Sequence, residues 1–428
     1  MNLVKSPLFA SIVAALGAFL FGYHTSVISG AVLFLAKDFQ LTTFQQELVV
    51  STLMIGALIG AIGGGFIVDL LGRKKILFLT LLLFFIGTFL LAQAININIL
   101  LIGRFVAGLA VGIVSFAVPL YISEISPPAM RGTFVLINQL AVTMGILIAY
   151  IVAFIFSESY AWRPMFSFAY LPATLQLIGL FFIPESPSWT LSQNQKKEAE
   201  KILSKIEASP SADVPKETNK RFYAKPLLVG IGINIFQQIT GINAVIYYAP
   251  RIFQLAGFQS AQTAIFATIF LGAVNMIVTV FALWLIDRVG RKPLLIGGLM
   301  GMATALALLG FSFFIEGNLA FIALASLMLY VASFAISLGP VAFLITSEIY
   351  SIYPLTTRGR AIGAATFANW GSNYLVALSF LSLIHLLGIG VTFWVFTLIS
   401  LLGIWFIFTQ VPETRGKMSD QIQNFWKK

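Results

Sequence analysis

The sequence predicts an all-α membrane protein with twelve spanning helices in two pseudo-symmetric six-helix bundles. Three observations carry this. The 428 residues are 59% hydrophobic and only 10% charged, against about 25% charged in a typical soluble chain, and the mean hydropathy is +0.94. The apolar residues fall into twelve blocks, each close to the ~20 residues a helix needs to cross about 30 Å of hydrocarbon. Three charged motifs recur in the same order in both halves. Helices are the expected spanning form because each backbone group then finds its partner within its own segment.

The first block, 8–36, contains no Asp, Glu, Lys or Arg, and its one side chain that titrates near neutrality is His24. It is too long for the core of a signal peptide and is read as a retained helix. The second, 48–68, carries Gly56, Gly60 and Gly64, a spacing that lets two helix backbones approach closely, for packing alone or for sliding. The third is 76–95. The fourth, 98–122, holds Arg104, the only basic residue well inside a block; the fifth, 133–157, holds Gln139; the sixth is 164–184. A charged, Pro-containing stretch follows at 190–225, where Ala199, Ile202, Leu203 and Ile206 have helical spacing and predict a short amphipathic cytoplasmic helix over 196–208.

The seventh block, 226–250, contains Gln237, Gln238, Gly241, Asn243, Tyr247 and Tyr248; the eighth, 263–286, contains Asn275; the ninth is 293–315. The tenth, 318–346, ends near Phe343. The eleventh, 361–385, carries Asn369, Trp370 and Asn373, and the twelfth is 388–410. The domain reading is therefore a bundle over 1–189, a linker over 190–225, a second bundle over 226–411 and a tail over 412–428.

The net charge of +10 is a topology signal and not a mark of nucleic acid. Of the 26 Lys and Arg, 22 lie in segments on one side, and Lys37, Arg163 and Arg251 alone occupy the other loops. The excess places both termini in the cytoplasm. Cysteine is absent, which excludes disulfides and thiolate metal sites. No Asp or Glu is read at bilayer depth, and no metal cluster or nucleophile–base pair is found there. An enzyme, a metal and a cofactor are all unsupported.

The repeat is explicit. VDLLGRKKIL (68–77) matches IDRVGRKPLL (286–295), YISEISPPAMRG (121–132) matches ITSEIYSIYPLTTRG (345–359), and IPESPSW (183–189) matches VPETRGK (411–417). Asp69, Arg73, Glu124, Arg131 and Glu185 in one half answer Asp287, Arg291, Glu348, Arg358 and Glu413 in the other. Glu124 with Arg73, and Glu348 with Arg291, are the expected pairs, forming a cytoplasmic gate network. An exposed pair contributes only about 0–1 kcal/mol, so several would have to act together; plain interfacial snorkelling is the other reading.

Amides inside apolar blocks bond to each other or face a wet cavity, because an unpaired amide in hydrocarbon costs several kcal/mol. Along one straight helix Gln237, Gly241 and Tyr248 would lie within about 40° of one another and Asn243 about 120° away. A break at Gly241 is therefore expected. Carboxamides both donate and accept, and aromatic rings cover C–H faces. Amides and aromatics without fixed charge describe a site for a neutral polyhydroxyl ligand.

The motifs GGFIVDLLGRKK, GRFVAGLAVG, PLYISEISPPAMRG, PESPSW, QQITGINAVIYYAP, DRVGRKPLL, GPVAFLITSEIY, NWGSN and PETRGK resemble those of the sugar porter family of the major facilitator superfamily. They run in family order along nearly the whole chain. The resemblance implies two parallel halves with a site between them at the membrane midplane. It implies sugar contacts at Gln139, Gln237, Gln238, Asn243, Asn275, Trp370 and Asn373, with Tyr247 at the outer gate and Tyr248 on the cavity wall; Asn369, one turn from Asn373, joins this set. Phe343 stands where the family usually has Trp, and so lacks an indole donor. Leu70 stands where the first charged motif often has a basic residue.

His24 lies roughly 24 Å from the inner end of its helix and Arg104 roughly 9 Å from the outer end of its own, so the two share a depth. In proton-coupled members the position of His24 is an Asp that pairs with the Arg at 104, and in facilitative members it is neutral. Desolvation and a neighbouring guanidinium both disfavour an imidazolium. The resulting reading is alternating-access transport of a monosaccharide, a hexose such as glucose or else xylose, as facilitated uniport. The alternatives are sugar–proton symport through His24 and Arg104, and a sugar sensor of the same fold, which would need long cytoplasmic extensions. The partners are a sugar, the lipid bilayer and, in the symport reading, protons; nucleic acid is excluded and a monomer is expected. Short loops and absent cysteine suggest a bacterial inner membrane.

Overall fold

The computed structural model describes residues 6–127, 131–193, 224–315, 320–353, 355–417 and 419–426. The predicted cytoplasmic helix over 196–208 lies outside them. The described residues form α1 (Pro7–Ser26), α2 (Ile28–Asp38), α3 (Thr43–Leu71), α4 (Arg73–Ala92), α5 (Ile97–Ile125), α6 (Arg131–Ser157), α7 (Trp162–Ser167), α8 (Tyr170–Phe182) and α9 (Pro187–Ser192). After the linker come α10 (Ala224–Ile239), α11 (Ile242–Leu255), α12 (Ala261–Val289), α13 (Arg291–Ser312), α14 (Ala320–Ile336) and α15 (Leu338–Ile349). A 3₁₀ turn (Tyr350–Ile352), α16 (Leu355–Leu387), α17 (Ile389–Gln410) and α18 (Ser419–Asn424) complete the chain. Twelve stretches among the described residues are long and apolar enough to cross a membrane. This is a multi-pass membrane protein.

The chain divides into two compact units, Met1–Leu41 with Leu48–Ala212, and Thr42–Glu47 with Asp213–Lys428. Local signals set the helix starts. Ser6, Asn96 and Ser260 accept from the backbone N–H three residues on, Phe9, Ile99 and Thr263, and so satisfy donors that a helix leaves open at its first turn.

In the first unit the glycines of α3 are a packing seam against α5. A Cβ at Gly56 would stand 2.2 Å from the Phe105 carbonyl oxygen, and one at Gly60 2.3 Å from that of Leu109. The seam is reciprocal, because a Cβ at Gly108 or Gly112 would stand 2.1 Å from the carbonyl oxygens of Leu53 and Ala57. Backbones in this contact leave no room for a side chain.

Four spanning blocks are broken among the described residues. The expected break comes at Gly241, whose φ of +96° separates α10 from α11; glycine adopts that conformation without steric cost. Three further breaks were not expected. Val27 separates α1 from α2, Phe168 and Ala169 separate α7 from α8, and Ser337 separates α14 from α15. The Ser337 break sets Pro340 in the first turn of α15, where a proline's missing N–H is harmless. Pro119 and Pro250, by contrast, sit inside continuous helices.

Candidate functional site

The second unit gathers most of the expected amides into a hydrogen-bonded relay. Asn234 of α10 starts it: its Nδ2 donates to the Gly230 carbonyl at 2.9 Å and to Thr346 Oγ1 of α15 at 3.0 Å. Asn369 Nδ2 of α16 donates to Asn234 Oδ1 at 3.3 Å and to Gln237 Oε1 at 2.6 Å. Gln237 Nε2 is anchored on the Leu338 carbonyl at 2.8 Å. Asn369 Oδ1 accepts from Gln238 Nε2 at 3.0 Å, and Gln238 Oε1 accepts from Asn243 Nδ2 at 2.5 Å. The Gly241 break makes this last bond possible, since it re-aims the start of α11 so that Asn243 returns toward the end of α10. The relay thus joins α10, α11, α15 and α16.

One turn further along, Asn373 Nδ2 donates to the Tyr247 hydroxyl at 3.3 Å. Tyr248 donates to the Ala377 carbonyl at 2.9 Å and stacks on Phe380, ring centroids 5.3 Å apart. Trp370 is buried beside Asn369 in sequence. Asn275 on α12 is buried and its side chain makes no hydrogen bond among the described residues. Phe343 on α15 is 53% exposed. Gln139 is half-buried on α6, in the other unit. Of the two alternatives, mutual bonding and a wet cavity, Gln237, Gln238 and Asn369 show the first: they bond to one another and to backbone carbonyls. Asn234 and Thr346 escaped the sequence reading. The signal was present, because Asn234 stands one helical turn before Gln238 in an otherwise apolar run.

In the first unit Arg104 is fully buried. Its Nε donates to the Val49 carbonyl at 3.0 Å, Nη2 to that of Val50 at 3.1 Å and Nη1 to that of His24 at 2.8 Å. The expected partnership with His24 therefore runs through the histidine's backbone and not its ring. That ring is 0% exposed and stacks on Phe84, with centroids 5.1 Å apart. Its Nε2 lies 3.3 Å from Thr88 Oγ1, and Nδ1 has no partner among the described residues.

One expectation is overturned: a carboxylate does lie buried in a spanning helix. Glu47, the fifth residue of α3 and assigned to the second unit, is 0% exposed. It accepts from the backbone N–H of Ser382 at 2.7 Å and from its hydroxyl at 2.6 Å. It lies one position before the apolar block 48–68, which is why the apolar pattern leaves it out.

The charged motifs form two matching clusters, one in each unit. Arg73 bridges Glu124 with two bonds of 2.9 Å and reaches Asp69 at 3.0 Å. Arg291 bridges Glu348, at 2.9 Å from Nη2. Ser186 donates to Glu124, and Thr414 donates to Glu348 at 2.5 Å. Glu185 accepts from the Lys74 N–H at 3.0 Å, capping α4, and Glu413 accepts from those of Arg291 and Lys292 at 3.1 and 3.0 Å, capping α13. An anion at a helix start is stabilised by the aligned peptide dipoles. Burial pushes the Glu413 carboxyl up, but four backbone N–H donors, of Arg415, Lys292, Arg291 and Thr414, outweigh it and hold it below the usual carboxylate range. The two Arg–Glu pairs are mostly buried, with side-chain exposures of 10% and 12% for Arg73 and Glu124 and 12% and 24% for Arg291 and Glu348. The small worth expected of exposed pairs does not apply, because losing one partner of a buried pair costs about 3–5 kcal/mol. Arg358 joins neither pair and donates to the Tyr350 carbonyl at 3.1 Å. The side chains of Arg131 and Asp287 lie outside the described residues.

Comparison with known proteins places this architecture. The model of the family described as "Sugar (and other) transporter" matches residues 10–426. The chain is 37% identical over 436 residues to the galactose-proton symporter of Escherichia coli K12, covering 97% of this chain and 93% of that one. It is 36% identical over 431 residues to the glucose transporter GlcP of Staphylococcus epidermidis, covering 96% and 95%. Among solved structures, the inward open conformation of the xylose transporter XylE from E. coli superposes with a TM-score of 0.84 at 32% identity, covering 97% of this chain and 99% of that one. With its twelve apolar spans, its paired charge motifs and a family match over almost its entire length, the chain belongs to the sugar porter family of the major facilitator superfamily, a family of transporters and not of enzymes.

Proposed function

We propose that the protein carries a neutral monosaccharide, a hexose such as glucose in preference to xylose, across a bacterial inner membrane by alternating access, acting as a monomer with both termini in the cytoplasm. The observation that carries this is the relay of Gln237, Gln238, Asn243 and Asn369, with Asn373 one turn on: neutral amides, all buried except the half-buried Asn243, with no fixed charge among them. A charged substrate would call for an opposing charge, whereas hydroxyls match carboxamides. Two of the relatives are named for hexoses, galactose and glucose. The charged clusters around Arg73 and Arg291 act in this reading as the cytoplasmic gate network, with Asp69, Glu124, Glu185, Glu348 and Glu413 as their acids.

The coupling mode proposed is uniport. Position 24 holds an imidazole, sealed between Phe84 and Thr88, in place of the carboxylate that the resemblance puts in proton-coupled members. A second reading, proton symport, is favoured by Glu47, since an ionisable side chain buried within a spanning segment is functional by default; the galactose and arabinose relatives are named proton symporters. Counterflow of labelled D-glucose in proteoliposomes tests transport, and its absence with every hexose would defeat the proposal. Adding the transported sugar to de-energised vesicles separates the modes. Uniport leaves the medium's pH unchanged from about pH 5.5 to about 7.5, the range in which histidine titrates, and alkalinisation establishes symport.

A further inference from the structure

We propose that the amide relay has a fixed donor–acceptor polarity, set by backbone anchors, and that Asn243 and Asn373 consequently meet the ligand as acceptors. The second unit then selects a sugar by the hydroxyl protons it can donate. The inference rests on the sugar reading above and deepens it.

The polarity follows from groups that cannot reverse. A carboxamide can present either its oxygen or its NH₂, but a backbone carbonyl can only accept. Asn234 lies against the Gly230 carbonyl and Gln237 against the Leu338 carbonyl. Both must turn NH₂ toward those anchors, so both show oxygen toward Asn369. Asn369 then faces Asn234 Oδ1, the Asn234 carbonyl at 3.4 Å and Gln237 Oε1. Three acceptors on one side force its NH₂ to that side and its oxygen to the other. That oxygen takes the Gln238 NH₂, and the Gln238 oxygen takes the Asn243 NH₂. Each amide is committed by the one before it. Asn243 ends the relay with Oδ1 on a half-buried residue, without a partner among the described residues.

A separate observation points the same way. Asn373 is only 2% exposed, its NH₂ engages Tyr247, and its Oδ1 is buried with no partner among the described residues. A buried oxygen without a donor destabilises the fold, and a hydroxyl proton removes that cost. Asn373 and Tyr247 stand one turn from Asn369 and Asn243 on the same two helices, so the two acceptors belong to successive rungs. Asn234 is a positioning residue in this scheme: it need not touch the sugar, but it sets which atom Asn369 can show.

The test uses the purified full chain in proteoliposomes, with counterflow of labelled D-glucose competed by the monodeoxy and monodeoxyfluoro analogues at each hydroxyl-bearing carbon. Fluorine can accept but never donate. At one or more positions both analogues should compete at least about tenfold more weakly than glucose, because each leaves a buried acceptor unpaired, and the fluoro analogue should do no better than the deoxy. A fluoro analogue that outperforms its deoxy partner at every sensitive position would mean that the site presents donors, and would overturn the proposal. Asn369→Leu leaves Asn243 tied to the anchors only through the 3.5 Å bond from Gln238 Nε2 to Gln237 Oε1, so its polarity loosens and the fluoro analogue should gain up to about threefold on its deoxy partner. A uniform loss for all analogues would mean that the relay only packs. If this variant does not fold, the wild-type ratios decide alone. If D-glucose does not move, the same series on D-galactose replaces it. Failure of both sugars defeats the transport reading and this one together, while sugar movement that tolerates fluorine everywhere defeats the polarity alone.

Discussion

The two units solve the problem of polar groups in an apolar interior in opposite ways. In the first, one guanidinium is buried whole and its donors are laid on the carbonyls of Val49, Val50 and His24. In the second, neutral amides bond in series from Thr346 to Asn243. The charged end motifs, in contrast, are nearly superimposable in chemistry: Arg73 with Glu124 and Arg291 with Glu348, each under a capping acid. Duplication preserved the scaffold and let the interiors diverge. A fixed cation on rigid carbonyls ties helices together, and a string of amides can also be read by a ligand. That difference is where the function is expected to lie.

The largest effect should come from breaking the first solution. Arg104→Lys keeps the charge, but a single ammonium cannot reach three carbonyls on two helices. The buried, under-solvated cation should cost about 3–5 kcal/mol, read as a fall in the thermal midpoint by tryptophan fluorescence in detergent. Asn369→Leu breaks the second solution. It strands Asn234 Oδ1 and leaves Gln237 Oε1 and Gln238 Nε2 with only the 3.5 Å bond between them, at about 1–3 kcal/mol for a buried group left unpaired. Hexose counterflow should weaken without disappearing, whereas Arg104→Lys, which leaves the relay bonded, should show its defect first in stability.

Smaller effects sharpen the contrast. Tyr248→Phe removes the bond to the Ala377 carbonyl but keeps the stack on Phe380, and about 1 kcal/mol of stability should go with little change in transport. The smallest effect belongs to the end motif of the second unit. The Glu413 carboxyl is held below its unfolded value, so its contribution is complete above the unfolded value of about 4.3 and is lost as pH falls through the lower, folded one. After solvent screening it amounts to at most about 1 kcal/mol. Glu413→Gln should therefore be less stable than wild type at neutral pH and converge with it in acid. Curves that stay parallel down to about pH 3 would rule out this role.

The fold was legible because composition and repetition are global signals that no single residue can mask. The break at Gly241 was legible too, since helical geometry left Asn243 facing the wrong way and a glycine stood at the only place to correct it. The break at Ser337 was not, although GP follows it in SLGP, because Pro119 and Pro250 show that a proline inside a span need not end a helix. The relay was half visible. Its amides could be listed from sequence, but their order of bonding depends on the Gly230 and Leu338 carbonyls, and backbone groups leave no trace in a residue list. Glu47 was missed for a related reason. An acid at the edge of an apolar block looks solvated until its partner, here Ser382, is brought to it from 335 residues away.

Gly72 and Gly290, 218 positions apart, hold φ values of +95° and +107°. Over each lies an acid: an added Cβ would come within 2.7 Å of a Glu185 oxygen at the first and 2.9 Å of a Glu413 oxygen at the second. A single methyl group at either corner would therefore both strain the chain where it reverses and evict the anion that neutralises the next helix. To the protein, an alanine there would act as the deletion of a negative charge.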